Sequence, residues 1–208
     1  MRFKPAVLVA ALALCVFTAA AQSDEDEPEV FNYEASVNFT GNIQKTATGD
    51  DTKDRATMSG GFLMNMRRRF HFLPWNGEIE ANLAFTTFTQ YYNPGFSQTQ
   101  ANTYEASGAY VVPFKSNSWK RWKPFWEVGG AYTQWDPVST GSVALAQKDH
   151  RPGVLYGVGV DYRRYNRLGI RLGYRGLVYQ APDFSLPAQV TNAWTNMAEP
   201  YIGITYRF

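Results

Sequence analysis

Residues 168–175 read Leu-Gly-Ile-Arg-Leu-Gly-Tyr-Arg. Leu168, Ile170, Leu172 and Tyr174 fall on one parity, and Gly169, Arg171, Gly173 and Arg175 on the other. Alternate side chains of a strand point to opposite faces. The segment therefore reads as a strand with an apolar face and a face of cations spaced by glycines, which leave room for the long arginine side chains.

The same period of two recurs along the chain. Phe31, Tyr33, Ala35, Val37 and Phe39 oppose Asn32, Glu34, Ser36, Asn38 and Thr40. Met58, Gly60, Phe62, Met64 and Met66 oppose Ser59, Gly61, Asn65, Arg67 and Arg69. Further runs begin near Glu78, Thr103, Trp126, Val154 and Glu199, which with 168–178 makes eight strands. Three connections are short (71–76, 114–123 and 164–167) and four are long (41–55, 92–102, 136–152 and 180–196), and they alternate. Up-and-down strands then place all long loops at one end and both termini at the other. A sandwich would space its turns more evenly.

Charge decides which face is inside. Glu34, Glu78, Glu80, Glu105, Glu127, Asp161 and Glu199 share the polar parity with Arg67, Arg69, Arg163, Arg171, Arg175 and Arg207. The apolar parity carries Tyr, Phe, Trp and Leu in quantities too large for the interior of a small barrel. They suit a lipid-facing band with aromatic girdles, with Tyr91, Tyr92, Tyr132, Trp135 and Tyr179 near the long-loop edge and Trp75, Trp119, Trp122 and Trp126 near the other. Strands cross hydrocarbon only as a closed barrel, because no backbone group can stay unpaired there. Eight strands leave a lumen that side chains can fill, and near-balanced charges can satisfy one another in it. The expected fold is all-β: an eight-stranded antiparallel up-and-down transmembrane β-barrel over residues 30–208, plugged, with water pockets.

Arg2 and Lys4, an apolar stretch from Ala6 to Phe17 and Ala19-Ala20-Ala21 form a signal peptide, 1–21, with cleavage expected after Ala21. Removal of Cys15 with it leaves no thiol. Residues 22–29 form an acidic tail. Of 208 residues 45% are hydrophobic and 18% charged, with a net charge of +2, which argues against disorder and against nucleic-acid binding. Past residue 21 no apolar run approaches the ~20 residues of a spanning helix.

The chain ends Tyr201-Ile202-Gly203-Ile204-Thr205-Tyr206-Arg207-Phe208. This resembles the C-terminal assembly signal of bacterial outer-membrane barrels, with Ile204, Tyr206 and Phe208 as its alternating apolar residues. The whole of 30–208 resembles the small barrels of the OmpA transmembrane-domain and OmpX type, the outer membrane beta-barrel domain and porin-like families, most closely at 123–132 and 156–176. The resemblance implies an outer-membrane location with periplasmic termini and short turns. It implies contact with outer-membrane lipids including lipopolysaccharide, and recognition by the barrel-assembly machinery. It implies no catalytic residue, cofactor or metal. A monomer is expected, without the peptidoglycan-binding domain that some relatives append.

Other chemistry is thinly supported. His71 and His150 fall at opposite barrel ends and cannot share a metal. His150 with Ser139 or Ser142 imitates the His/Ser pair of lipid A hydrolases, but 147–152 carries no such motif. Gly157-x-Gly159 lies within a strand, with no helix after it. Lys115, Lys120, Arg121 and Lys123 suit anionic headgroups or plain solvation. The expected role is structural or surface-interactive, performed by the four long loops; the alternatives are a narrow porin-like channel and a lipid A or phospholipid hydrolase.

Overall fold

The computed structural model describes residues 32–49, 52–70, 77–92, 97–114, 121–138, 146–163 and 167–208. The signal peptide, the acidic tail, Phe31, His71, Trp75, Lys115, Trp119, Lys120, Ser139 and Ser142 lie outside them. Ten strands appear: β1 (Tyr33–Gln44), β2 (Ala47–Thr48), β3 (Lys53–Ala56), β4 (Ser59–Arg69), β5 (Glu78–Tyr92), β6 (Ser97–Pro113), β7 (Trp122–Pro137), β8 (Asp149–Arg163), β9 (Leu168–Gln180) and β10 (Trp194–Arg207). The only described helical element is a 3-10 turn at Pro187–Gln189. Eight strands form the wall, each antiparallel to its neighbours in the order β1-β4-β5-β6-β7-β8-β9-β10. Pairing of β10 with β1 closes the ring.

The seam joins the two ends of the described chain. The Tyr33 N–H donates to the Phe208 carbonyl (3.2 Å) and the Phe208 N–H to that of Tyr33 (3.1 Å), while their rings stack 5.9 Å apart. The β1–β10 register runs from Glu34↔Arg207 to Thr40↔Tyr201 and resumes at Ile43↔Ala198. The gap falls at Pro200, which has no N–H to donate.

Parity sets the two faces as the alternation requires. Val37, Phe39, Phe62, Leu83, Val158, Ile170, Leu172, Ile202 and Ile204 are exposed on the outer surface. Glu34, Ser36, Asn38, Asn65, Arg67, Glu80, Asp161, Arg171 and Arg175 are buried inside. The single outward arginine of the β4 run, Arg68, lies over the Tyr33 and Phe70 rings at 5.1 and 4.8 Å.

Three expectations change. The stretch 92–102 is mostly hairpin stem: β5 continues to Tyr92, β6 begins at Ser97, and Tyr92 pairs with Ser97. Gln98, Gln100 and Asn102 occupy its outer face and Thr99 and Ala101 its inner one, so no apolar parity marks the segment and the alternation of hydrophobicity vanishes although the strand does not. Within the expected loop 41–55, β1 runs on to Gln44 and a small hairpin, β2–β3, docks on β5 through Asp54↔Tyr92. Third, Tyr92, Trp135 and Tyr179 are not lipid-facing girdle residues. They are fully buried inside the barrel, whereas Tyr91 and Tyr132, on the opposite parity, are exposed.

Inward glycines sit where strand backbones approach closely. A Cβ on Gly203 would overlap the Val37 carbonyl oxygen and the Asn38 backbone across the seam. Unboiled protein in detergent should therefore migrate on a gel differently from boiled protein, and Gly203→Val should lose that difference because its seam cannot close. A Gly203→Val protein with unaltered heat-modifiability would show that the seam is looser than described.

Candidate functional site

The lumen is filled in three layers. At the short-turn end, Glu34 (β1), Glu78 and Glu80 (β5) and Asp161 (β8) meet Arg67 and Arg69 (β4), Arg163 (β8), Arg171 (β9) and Arg207 (β10). Arg171 holds Asp161 through two donors, Nε at 2.7 Å and Nη2 at 3.1 Å, donates to Glu80 at 3.1 Å, and also pairs with Glu34. Arg67 reaches Glu80 (2.7 Å), Glu78 (3.4 Å) and Asp161 (3.5 Å). Arg69 pairs with Glu78 at 2.7 Å, and Arg163 and Arg207 with Glu34 at 3.0 and 2.8 Å. The Phe125 ring packs beneath two of these cations, with Arg67 Cζ 4.4 Å and Arg171 Cζ 5.4 Å from its centroid. Bidentate pairing from several strands at once ties the wall together across its diameter.

Above this, charge is unbalanced. Arg175 donates to both oxygens of Glu105 at 2.8 Å and pairs with Glu199. Glu127, buried against Gly157, completes a layer of three carboxylates around one guanidinium. Among the described residues, Glu127 Oε1 and Arg175 Nη1 have no hydrogen-bond partner. The overall near balance of charge thus splits into a cationic lower layer and an anionic middle one.

The third layer closes the long-loop mouth and is largely apolar. Phe88, Tyr92, Trp135, Leu155, Leu177, Tyr179, Phe184 and Met197 form one buried cluster. Trp135 packs on Tyr179 with centroids 5.2 Å apart, and Tyr92 meets Phe184 edge-on at 6.4 Å. Loop 181–193 folds inward to supply Phe184 and Gln189, both buried. Phe184 and Ser185 take left-handed backbone, φ 50° and 59°. That costs roughly 1–2 kcal/mol per residue, and burying the Phe184 ring returns about 1.5–3 kcal/mol. The Tyr92 hydroxyl donates to the Pro182 carbonyl at 2.8 Å, and Gln189 Nε2 to Thr99 at 3.1 Å, which fastens the loop over the mouth.

One polar knot lies within this layer. Gln44 Nε2 donates to Asp54 at 2.9 Å, and Gln44 Oε1 accepts from the Tyr179 hydroxyl (2.9 Å) and Gln90 (3.1 Å). Asp54 stands on the docked hairpin beyond the wall strands β1 and β4, fully buried, with Oδ1 unpartnered among the described residues. Burial, opposed only in part by the hydrogen bond from Gln44, pushes its carboxyl up to about 7.

All thirteen charged residues singled out from the alternation line the lumen, in the two lower layers. Ile204 and Phe208 are exposed on the outer wall, and Tyr206, between them in sequence, is covered and stacks on Phe208 at 6.3 Å. His150 stacks on Tyr132 at 6.0 Å. The apolar lumen residues Leu63, Phe88, Phe125, Leu155, Leu177 and Met197, and the Asp54 knot, are what sequence reasoning missed. Parity was the available signal: each apolar residue of that group sits an even number of positions from an inward polar residue on its own strand.

The family resolves at this point. Residues 9–208 match the family described as outer membrane protein beta-barrel domain. The chain belongs to that family. Its fold is similar to that of OprG from Pseudomonas aeruginosa (TM-score 0.60, 10% identity, covering 89% of this chain and 99% of that one). It is similar as well to Neisserial surface protein A (TM-score 0.55, 13% identity, 85% and 97%) and to AlkL, solved in lipid bilayers (0.52, 14%, 89% and 97%). No curated protein sequence matches it.

Two measurements test this site. Arg171→Ala leaves Glu34, Glu80 and Asp161 buried without their shared cation and should lower unfolding stability in urea by about 3–5 kcal/mol. Glu127→Gln, which loses a charge that Arg175 does not need, should stay within roughly 1 kcal/mol of the parent. Equal losses for the two would refute the layered assignment. Asp54 gives a pH test. Its folded value, about 7, exceeds its ordinary 3.8, so ionisation opposes the docked state. Hairpin stability is full below pH ~4, falls between ~4 and ~7, and levels off above. Hydrogen exchange at Arg55 and Ala56, corrected for intrinsic rate, should show this loss in the parent and not in Asp54→Asn. The same pH dependence in both proteins would assign it to another group.

Proposed function

We propose that this outer-membrane barrel is a closed, non-conducting, non-enzymatic scaffold that acts through its long-loop end. The observation that carries this reading is the sealed mouth: a buried aromatic and aliphatic cluster, capped by loop 181–193, lies across the lumen above the two charged layers. Ions would have to pass this buried apolar cluster, at a heavy desolvation cost. In this reading the termini and short turns are periplasmic and the long loops are outside. The barrel is a monomer in contact with outer-membrane lipids including lipopolysaccharide, and Ile204, Tyr206 and Phe208 guide its assembly by the barrel-assembly machinery.

An enzymatic reading gains nothing from His150, whose ring packs on the outward Tyr132. Transport has only the charged lower lumen in its favour, and that lumen ends beneath the apolar layer.

In planar bilayers the purified protein should give no steady conductance steps at modest voltage; reproducible steps would overturn the closed-scaffold reading. Sidedness has its own test. Lys148 is exposed beside Asp136 at the long-loop end. Lys148→Cys should react with a membrane-impermeant maleimide on intact cells, and reaction only after permeabilisation would invert the orientation.

A further inference from the structure

The outer wall is not uniformly covered with side chains. Gly41 on β1 pairs directly with Gly60 on β4, and both point outward. A Cβ at Gly60 would find only the Thr40 carbonyl oxygen, at 3.9 Å, and one at Gly41 only Pro200 Cγ, at 3.7 Å. Pro200, beside them on β10, is flat and exposed, and it lies at the break in the seam ladder. Tall side chains border this bare floor along its short-turn side, in one row of directly paired neighbours, Phe85, Phe62, Phe39, Ile202 and Leu172. Phe39 and Phe62 pack together with centroids 5.0 Å apart, which makes that side a continuous aromatic rim. The result is a concavity of about 630 Å³, inside the ~300–1,000 Å³ range of small-molecule sites.

Its position and chemistry name the occupant. The groove opens on the lipid-facing surface of a membrane barrel, in the half nearer the long loops, since Gly41 lies in the last third of β1. Among the described residues no charged side chain lines it, and both of its hydroxyl-bearing residues are buried on the inward parity: Thr40 Oγ1 donates to the carbonyls of Gly41 (3.2 Å) and Pro200 (3.3 Å), and the Tyr201 ring lies against Gly173. Nothing there recognises a headgroup. A void against hydrocarbon forfeits dispersion contacts until an apolar chain fills it. In a bilayer, packing of this kind rather than water exclusion selects partners. We propose that the groove over Gly41, Gly60 and Pro200 is a binding site for one acyl chain of a membrane lipid in the long-loop-side leaflet. An acyl chain held there packs on the flat glycine and proline floor and along the bordering row of Phe85, Phe62, Phe39, Ile202 and Leu172. It covers the stretch of seam where Pro200 leaves the ladder incomplete.

The test uses the full barrel reconstituted in vesicles that contain a phospholipid with a diazirine in its acyl chain. After illumination, adducts are mapped by peptide mass spectrometry. They should concentrate on segments 39–62 and 200–202 rather than on Val128, Val154 and Val158, which are equally exposed elsewhere on the wall. Gly60→Ile fills the groove without touching the lumen. It should cut adducts at the groove by roughly five-fold, the order expected when about ten carbon–carbon contacts are lost, and leave labelling elsewhere unchanged. Phe62→Ala, which removes part of the rim, should reduce them too and serves if Gly60→Ile fails to show heat-modifiability. Even labelling around the circumference, or groove labelling that survives both substitutions, would overturn the proposal. So would a crosslinked dimer through this face, which would make a second copy the occupant.

Discussion

Everything in this molecule follows from the rule that a peptide group in hydrocarbon must be hydrogen-bonded to another part of the chain. Eight strands satisfy it only by meeting end to end, and here the meeting is made between the first described strand and the last. Closure fixes the rest. It forces one parity outward to the bilayer and the other into a lumen too narrow for anything but side chains. Once arginines and carboxylates are enclosed, they must find each other, because an enclosed ion left alone costs several kcal/mol.

The three lumen layers solve that problem in different ways. At the short-turn end, five guanidinium groups and four carboxylates interlock, with Arg171 bridging β1, β5 and β8 from β9. In the middle, Arg175 serves Glu105 and Glu199 while Glu127 rests against glycine backbone. At the long-loop mouth rings and aliphatic chains take over the filling, neutral amides and hydroxyls bond one another among them, and charge returns only toward the loop, where Arg151 pairs with Asp149 and Asp183. The change from ionic to apolar filling tracks the distance from the short-turn mouth, where Arg69, Arg163 and Arg207 still reach water.

Much of this was legible from the residues. Strong alternation in 168–175 and its counterparts reveals the strands, the closure and the inward charges, because lipid on one side and ions on the other produce opposite chemistry at neighbouring positions. Legibility fails where that contrast fails. Beyond the bilayer, β5 and β6 are polar outside, so 92–102 looks like turn although Tyr92 still pairs with Ser97. Inside the mouth, the filling is as greasy as the exterior, so Tyr92, Trp135 and Tyr179 pass for girdle residues when only their parity tells them apart from Tyr91 and Tyr132. Asp54 was illegible for another reason: its burial depends on how a short hairpin docks, and nothing local to 53–56 announces a partner on β5. Likewise, the outer groove arises from side chains on five strands, and no single run displays it.

The mutual bonding of Tyr33 and Phe208 also bears on how the barrel comes into being. Arg207 and Glu34 touch across a separation of 173 residues. A contact so distant is slow to find by chance, since the entropy of bringing the ends together must be met before any reward arrives. Every other wall pairing joins consecutive wall strands, so hairpins can zip in succession and shrink that search to the mating of two free edges. Until that final step the growing sheet carries two raw margins that would adhere to any strand they met, and escorting those margins is the demand this architecture places on the cell that builds it.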